Sequence, residues 1–376
     1  MLADARTSGG LVYGCLYELN DPELIHAIES LGKKIHLILA NGSPKPNRPD
    51  QNYHEREMLR NSNKINLYDR IVKNPHLAHH KFLVFCDQDG RPLKVWTGST
   101  NWTVTGLCTQ ANNAIVIDNQ KVASWFKDLW DLLRNAGDDY PDYLKKSNSK
   151  HRKIKIGGTD TTVWFTPIEK EQDLAHARKI IRSAKQGILF LMFNPGPKNT
   201  LLNEIVGLTG GRLFIQGVVN VDPGGKKNPV LRLFDRGEEI IPRPEPKIMI
   251  PAAINKPLKY WRPELRNYSI AMVHSKVVVV DPFGSNPVVM TGSHNMGPKA
   301  SKKNDDNLAV IENARGLAAE YAVNIMSIYN QYKWRHSVTT RHESQKWNGL
   351  VDRDDWQNWL RRGPRWKEIK FWLGQY

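Results

Sequence analysis

The chain has 376 residues, with 54 Lys and Arg against 38 Asp and Glu, and a formal net charge of +16 at pH 7. This length allows two domains with substantial cores, and the excess of positive charge indicates an anionic partner. The sequence has no apolar run long enough to span a bilayer. Three cysteines, Cys15, Cys86 and Cys108, lie near apolar segments and are expected to be buried rather than paired in disulfides.

The first half, residues 1–150, is predicted to alternate strands with helices. The strand LVYGCLYEL is followed by the helix DPELIHAIESLG and the strand KIHLILA, and later by the strand NAIVI and a helix from about Lys121. This alternation predicts an α/β fold in which a mixed sheet is flanked by helices. Residues 41–64 are expected to form a long loop at the rim of a cleft.

Only ten residues precede the first predicted strand, whereas the amphipathic helix QDLAHARKIIRSAKQG precedes the corresponding strand at Ile188. We therefore expect the first half to lack its opening helix. Either this helix is missing or the chain was cut from a longer polypeptide, so the absence of a signal peptide does not fix the location. A cytoplasmic location is favoured.

Residues 79–101, HHKFLVFCDQDGRPLKVWTGSTN, combine His-x-Lys, an apolar strand, an aspartate, a turn and a strand ending in Gly-Ser-x-Asn. Side chains alternate across a strand, so His79 and Lys81 share one face and His80 lies on the other. His79 is therefore taken as the working histidine, with His80 as the alternative.

The second half, residues 151–330, follows a charged connection at residues 135–158. It repeats the order of elements with the strand ILFLMF, the helix TLLNEIVGLTG, the strand RLFIQGVV, the strand LAVI and a helix from about Gly316. A Pro-rich insertion, residues 221–270, is expected to form a second rim of the cleft.

Residues 274–297, HSKVVVVDPFGSNPVVMTGSHNMG, carry the same pattern as residues 79–101. Four consecutive valines predict a strand that is buried on both faces. An offset of 194 residues places Asp87 on Asp281, Gly98 on Gly292, Ser99 on Ser293, Asn101 on Asn295 and Asn113 on Asn307.

The two copies differ by one residue between the lysine and the aspartate, and a β-bulge between Lys81 and Asp87 is expected to absorb the extra residue. The repeat predicts two similar sandwich halves that are related by a pseudo-twofold axis and share one site at their seam. Because both halves lie in one chain, a monomer is sufficient to complete that site.

The second copy resembles the signature of the phospholipase D superfamily, His-x-Lys-x4-Asp followed by Gly-Ser-x-Asn. The matching residues are His274, Lys276, Asp281, Gly292, Ser293 and Asn295. The first copy is similar but has Cys86 where the spacing from His79 expects aspartate. The resemblance covers roughly residues 10–135 and 170–330, and it implies a phosphodiesterase.

The residues downstream of the two motifs differ, because eleven positions after Asn295 stands Asp306 and eleven after Asn101 stands Asn112. The resemblance implies that Asp306 orients His79, which acts as the nucleophile. A carboxylate on one ring nitrogen fixes the tautomer and frees the other nitrogen, whereas a neutral amide leaves the partner histidine better suited to hold and donate a proton.

The resemblance further implies a two-step displacement at phosphorus. His79 attacks a phosphodiester, and His274 serves first as general acid and then as general base. The phosphate oxygens would be held by Lys81, Lys276, Asn101 and Asn295, with support from Ser99, Ser293 and Asn112, while Asp87 and Asp281 are structural parts of the motif.

No metal or other cofactor is expected, because two lysines already neutralise the phosphate. His76, His79 and His80 lie within five residues, but cysteines or carboxylates at ligand spacing are lacking nearby, which argues against structural zinc.

The C-terminal tail, residues 331–376, carries six of the twelve tryptophans, interleaved with Arg and Lys. This composition fits base stacking along single-stranded nucleic acid or contact with an anionic membrane surface. A third interpretation is a tail helix whose Trp356, Trp359 and Trp366 pack in the core.

Three functions remain open from the sequence. A metal-independent nuclease is favoured by the positive charge. A phospholipase D or transphosphatidylase acting on acidic phospholipids is the alternative, and a catalytically silent binding module is the third. The presence of both histidines and both lysines argues against the third.

Overall fold

The computed structural model describes residues 1–209, 211–220, 247–249, 272–340 and 353–376. In the first half the elements are α1 (Leu2–Ser8), β1 (Val12–Leu16), α2 (Pro22–Glu29), β2 (Ile35–Ala40), α3 (Tyr53–Ser62), β3 (Asn66–Arg70), β4 (Lys81–Cys86), β5 (Pro92–Gly98), α4 (Val104–Cys108), β6 (Gln110–Ala111), β7 (Ala114–Ile117), α5 (Gln120–Ala136) and α6 (Asp142–Asn148).

The second half and the tail follow in the same manner. Their elements are β8 (Arg152–Ile156), β9 (Thr159–Thr166), α7 (Gln172–Arg182), β10 (Gly187–Met192), α8 (Leu201–Gly207), β11 (Phe214–Val219), β12 (Lys247–Met249), β13 (Met272–Val273), β14 (Lys276–Val280), β15 (Val288–Gly292), α9 (Pro298–Lys303), β16 (Asp306–Glu312), α10 (Arg315–Thr340) and α11 (Gly363–Trp372).

Two mixed sheets, one in each half, confirm the predicted α/β fold. The first sheet has the strand order β3-β2-β1-β4-β5-β7, and the second has the order β12-β11-β10-β14-β15-β16-β9-β8. In each sheet a parallel pair, β1 with β2 or β10 with β11, lies beside the antiparallel strand that follows the His-x-Lys histidine. The strand order of one half therefore repeats in the other.

Strand β14 is buried on both faces, as its four valines predict. Val277 and Val279 belong to a central core that also contains residues of the first sheet and of helices α5 and α10. Val278 and Val280 belong to an outer core that packs against α7 and α8. The outer face of the first sheet packs on α1 and α2 in the same way.

Reciprocal hydrogen bonds across the seam match the predicted pseudo-twofold relation. Thr97 of the first half donates to Asn307 of the second at 3.1 Å, and Asn113 of the first half donates to Thr291 of the second at 2.7 Å. At the offset of 194 residues Thr97 corresponds to Thr291 and Asn113 to Asn307, so each hydrogen bond is the counterpart of the other. The pairing of β4 with β5 shifts register between Phe85 and Cys86, within the interval where the bulge was predicted.

Four expectations from the sequence are wrong. Helix α1 occupies the place of the opening helix, and Ala5 packs in the outer core of the first half. The predicted rim loop at residues 41–64 contains helix α3, and the charged connection contains α6 and β8. Cys108 is exposed, because it ends the short helix α4 at the surface, whereas Cys15 and Cys86 are buried thiols.

The Pro-rich insertion at residues 221–270 lies outside the described residues, apart from β12, which pairs with β11. The predicted second rim therefore stays a prediction.

The tail helix α11 docks on the second half through Phe371 and through Trp372, whose ring centroid lies 5.5 Å from that of Phe283. Phe371 is 1% exposed and stacks on Phe214 with ring centroids 4.4 Å apart. Trp366 is 38% exposed, so the expectation that it packs in the core is wrong. The side chains of Trp356 and Trp359 lie outside the described part of the chain. None of the helices within the described ranges has the length and apolar character that crossing a bilayer requires.

A buried ion pair ties the two halves together beside the seam. Arg70, at the end of β3, donates from Nε to Asp305 Oδ2 at 2.5 Å and from Nη2 to Asp305 Oδ1 at 3.2 Å. Both side chains are at most 1% exposed. Arg70 also donates to the carbonyl oxygen of Gly137, so its guanidinium group joins β3, the end of α5 and the start of β16.

Replacing Arg70 with Met should destabilise the protein, because the buried Asp305 carboxylate loses its partner. We expect the free energy of unfolding to fall by about 3–5 kcal/mol, with most of the loss recovered in the double variant Arg70→Met/Asp305→Leu. Urea unfolding followed by tryptophan fluorescence measures the change. In the control Arg60→Met, which loses only exposed ion pairs, the cost should stay below about 1 kcal/mol, and an equally small cost in Arg70→Met would contradict the prediction.

Candidate active site

Each motif histidine lies just before a strand and is positioned by the opposite half. Met272 and Val273 pair with Gln110 and Ala111 as a short parallel ladder, and the backbone N–H of His274 donates to Ala111 at 2.9 Å. In the same way, Leu77 accepts a 2.8 Å hydrogen bond from Asp305. The segment that precedes each motif histidine therefore lies beside a segment of the other half. That second segment precedes the residue that forms a hydrogen bond with the histidine.

His79 contacts Asp306 across this seam. The Nδ1 atom of His79 lies 2.8 Å from Asp306 Oδ1, and both side chains are buried. Burial and the nearby Lys81 lower the pKa of His79 to about 4, although Asp306 acts in the opposite direction. Burial opposes ionisation of Asp306, but His79 outweighs it and the pKa of this carboxyl falls to about 2. The pair is thus a neutral imidazole that donates from Nδ1 to a carboxylate, leaving Nε2 with a lone pair.

His274 contacts the corresponding residue of the first half, which is an amide. Its Nδ1 atom lies 2.8 Å from Asn112 Oδ1, and its Nε2 atom lies 3.1 Å from Lys276 Nζ. Burial lowers the pKa of His274 well below its usual range, with further contributions from Lys276, Lys81 and His79. The pocket formed at this seam thus has each motif histidine in contact with a residue of the opposite half.

The two serines of the Gly-Ser-x-Asn segments support the histidines indirectly. Ser293 donates to Asp306 Oδ1 at 2.7 Å, and Ser99 donates to Asn112 Oδ1 at 2.8 Å. The predicted role of Ser99, Ser293 and Asn112 in supporting the phosphate oxygens stays a prediction. Their polar groups are engaged in fixing the partners of His79 and His274.

Asn101 and Asn295 follow these serines. Asn101 Nδ2 donates to Glu18 Oε2 at 2.7 Å. The Oδ1 atoms of Asn101 and Asn295 are buried without a hydrogen-bond partner in the described part of the chain. Polar atoms in this state are frequent where a protein receives a polar ligand.

Asp87 and Asp281 lie at the other ends of the strands and organise the backbone. Asp281 accepts from the backbone N–H groups of Lys185, Gln186 and Gly187 at 2.7 to 2.9 Å, which fixes the start of β10. Asp87 accepts from the N–H groups of residues 89 and 91 in the hairpin turn.

His80 points away from the pocket. It is fully buried against Phe82 and Phe165, with ring centroids 5.3 and 6.5 Å away, and Asn307 lies 3.4 Å from its Nδ1. Burial lowers the pKa of His80 to about 3. His76, the third histidine of the cluster, contacts the backbone carbonyl of Lys303 and stacks on Tyr140, so the three rings do not converge.

The two lysines are buried cations without a carboxylate in ion-pair contact among the described residues. Lys81 donates to the carbonyl oxygen of His79 at 2.7 Å, and Lys276 donates to that of His274 at 2.6 Å. Burial lowers the pKa of Lys81 to about 7, and burial together with Lys81 lowers the pKa of Lys276 well below its usual range. Buried charges are costly when unpaired, so this pocket is suited to receive an anion.

Three residues of the site were missed in the sequence. Tyr17 and Phe193 hold equivalent positions beside the histidines, with ring centroids 4.6 Å from His79 and 4.4 Å from His274. Glu18 follows Tyr17 and contacts Asn101. Tyr17 and Phe193 directly follow β1 and β10, which pair with the strands that begin at the motif lysines, so their place in the site depends on strand pairing.

Comparison with known families identifies the class of protein. A family model described as the PLD-like domain of cardiolipin synthase matches residues 6–131 and 178–329, which is most of the chain. The protein therefore belongs to the phospholipase D superfamily, whose members are phosphodiester-processing hydrolases and transferases. The resemblance proposed from the two His-x-Lys motifs is confirmed.

Individual relatives are distant. A phosphatidylserine synthase from Haemophilus influenzae Rd KW20 has a similar structure, with a TM-score of 0.53, 10% identity, and coverage of 86% of this chain and 84% of that one. A polyphosphate kinase from Porphyromonas gingivalis gives a TM-score of 0.52 and 11% identity over 87% of this chain, which spans 47% of the kinase. The uncharacterised protein L381 of Acanthamoeba polyphaga mimivirus is 29% identical over 98 residues, which are 26% of this chain and 34% of that protein. The two solved structures support the fold.

Anion binding to the pocket should depend on the protonation of Lys81. Its ammonium form is the one that attracts an anion, and its pKa in the unoccupied pocket is about 7. We therefore expect sulfate affinity to be constant below about pH 7 and to fall by up to about tenfold per pH unit above it. Isothermal titration calorimetry with sulfate, which keeps its charge over this range, measures the change. An affinity that is independent of pH between 6 and 9 would contradict the prediction.

Proposed function

We propose that the protein is a metal-independent phosphodiesterase that acts through a phosphohistidine intermediate, with nucleic acid as the favoured substrate. The observation that carries this proposal is the pair of buried lysines, Lys81 and Lys276, each in hydrogen-bond contact with the histidine of its own motif at the seam between the halves. Fixed positive charge in a water-poor site is well suited to stabilise charge that develops on a phosphate.

The first step forms a bond between His79 Nε2 and phosphorus and breaks the bond to the leaving oxygen. Asp306 accepts the hydrogen bond from Nδ1 and stabilises the positive charge that appears on the ring. His274 delivers its proton to the leaving oxygen. The low pKa of His274 in the empty site arises partly from the lysines, and a bound phosphate offsets their charge and so favours the protonated ring.

The second step reverses the role of His274. Its neutral ring removes a proton from water, the water oxygen bonds to phosphorus, and the bond to His79 breaks. An alcohol in place of water gives transfer instead of hydrolysis. Lys81, Lys276, Asn101 and Asn295 face the phosphate oxygens in both steps, so the same donors serve each transition state.

Nucleic acid is favoured as substrate because the chain carries a net charge of +16, and polyanions are attracted by such an excess. Phospholipid is the second candidate. It is favoured by the description of the matching family model as a cardiolipin synthase domain, and the Trp-rich and basic tail is compatible with both.

A substrate panel tests the proposal and the choice of histidine. Bis(p-nitrophenyl) phosphate should be hydrolysed in EDTA, and His79→Ala should reduce the rate by about 10⁴-fold or more, whereas His80→Ala should keep activity within about tenfold once folding is verified. Single- and double-stranded DNA and RNA are compared with phospholipid micelles in the same buffer. Full activity in His79→Ala would contradict the assignment of the nucleophile. Intact nucleic acid at every salt concentration, with head-group release from lipid, would favour the second candidate.

Activity is expected to require a carboxylate at Asp306, beside His79, whereas the amide of Asn112 is sufficient beside His274. Asp306→Asn should lower kcat by about 10³- to 10⁴-fold, because an amide neither fixes the same tautomer nor stabilises the charged ring. The matched control Asn112→Asp should retain activity but move the pH–rate profile to higher pH, since a carboxylate raises the pKa of His274. Equal losses in both variants would argue against distinct roles for the two histidines.

A further inference from the structure

Glu18 places a carboxylate at the phosphate pocket, where the described reaction has no use for it. It follows Tyr17, whose ring packs on His79 and lies 4.4 Å from the ammonium group of Lys81. The side chain is partly exposed, unlike the buried histidines and lysines around it. Its carboxylate is thus held at the boundary between the buried pocket and solvent.

Asn101 fixes the Glu18 carboxylate in this position, because its Nδ2 donates to Oε2 of Glu18 at 2.7 Å. Burial raises the pKa of this carboxyl, and the nearby Gln51 side chain lowers it. Gln51 is itself fixed, because its Oε1 accepts from the backbone N–H of Ser43 at 3.0 Å, and Ser43 lies 2.6 Å from the Tyr17 hydroxyl. The carboxylate is therefore built into the site, and it shares Asn101 with the phosphate.

The position of the second half that corresponds to Glu18 carries no charge. The strand registers place Leu16 opposite Lys81 and Met192 opposite Lys276, so the counterpart of Glu18 is Asn194, which is exposed. The charge of Glu18 is therefore a second difference between the halves, beside that of Asp306 and Asn112.

The charge of Glu18 acts on both cations of the pocket. Burial raises the pKa of its carboxyl, while Lys81 and Lys276 lower it, and Glu18 in turn raises the pKa of each lysine. An anion that enters between the lysines meets their attraction and the repulsion of Glu18 together. Repulsion grows with the charge of the anion, because the Coulomb energy scales with the product of the two charges.

We propose that Glu18 is a specificity-determining residue that lowers the affinity of the pocket for a doubly charged phosphomonoester more than for a singly charged phosphodiester. The assignment rests on the proposed function, since it concerns the phosphate that His79 attacks.

Equilibrium binding of two small anions tests the role of Glu18 without any turnover. Sulfate represents the doubly charged monoester, and dimethyl phosphate represents the singly charged diester. In Glu18→Gln, which keeps an acceptor for Asn101, we expect sulfate to bind about 100-fold more tightly and dimethyl phosphate about tenfold more tightly, as the charge product predicts. Calorimetry at low ionic strength and pH 6 gives both constants; the acidic pH is needed because Glu18 raises the pKa of both lysines, and its loss leaves them less protonated at neutral pH.

The control Glu23→Gln removes one negative charge from an exposed position on the same half and should change neither affinity by more than about twofold. Thermal unfolding verifies that Glu18→Gln is folded. An equal gain for both anions, no gain, or no binding of either anion to both proteins would overturn the assignment.

Turnover separates this result from the proposed function. If anion binding changes as expected but bis(p-nitrophenyl) phosphate stays intact, the proposed reaction fails and the charge selection by Glu18 stands. If the diester is hydrolysed, Glu18→Gln should also raise the rate on p-nitrophenyl phosphate relative to the diester.

Discussion

Two hydrogen bonds across the seam, His79 with Asp306 and His274 with Asn112, are the contacts on which the pocket depends. Each half supplies the histidine of its own motif and the partner for the histidine of the other half. The strand ladders, the reciprocal Thr–Asn contacts and the Arg70–Asp305 ion pair all hold the same seam closed. A shift of either sheet by one residue would separate both pairs, since side chains alternate across strands.

The difference between a carboxylate and an amide divides the work between two histidines in nearly identical surroundings. Both rings are buried beside a lysine and an aromatic side chain. In a water-poor pocket a single charged neighbour has a large effect on an imidazole. Asp306 can therefore stabilise positive charge on His79, whereas the neutral Asn112 gives His274 no such support. The repeated frame thus places a carboxylate beside one histidine and an amide beside the other.

The sequence predicted the features that depend on local pattern and on the repeat. The valine strand, the alternation of strands and helices, and the pairing of the motifs at an offset of 194 residues needed only periodicity and spacing. The alternation Lys-Ile-Lys-Ile in β8 is typical of a strand. It was interpreted as part of a linker because the surrounding segment is rich in charged residues. Helix α1 was missed because seven residues carry little helical signal of their own and its stability comes from tertiary packing.

The site itself was less accessible from sequence, for a physical reason. The roles of Ser99 and Ser293 follow from which acceptor lies nearest, and the contacts of Glu18 and Arg70 join residues distant in the chain. Spacing within one segment carries no information about such neighbours. The strand register places Glu18 near the site, because Leu16 pairs with Lys81. This register is known only once the pairing of the strands in the sheet is known.

The distance in sequence between His79 and Asp306, 227 residues, has a consequence during synthesis of the chain. When the first half has left the ribosome, the histidine, lysine and asparagine of its motif have been synthesised. The carboxylate that fixes the tautomer of the histidine has not. His79 therefore gains the carboxylate partner of the folded protein only when β16 completes the second sheet and this sheet closes against the first.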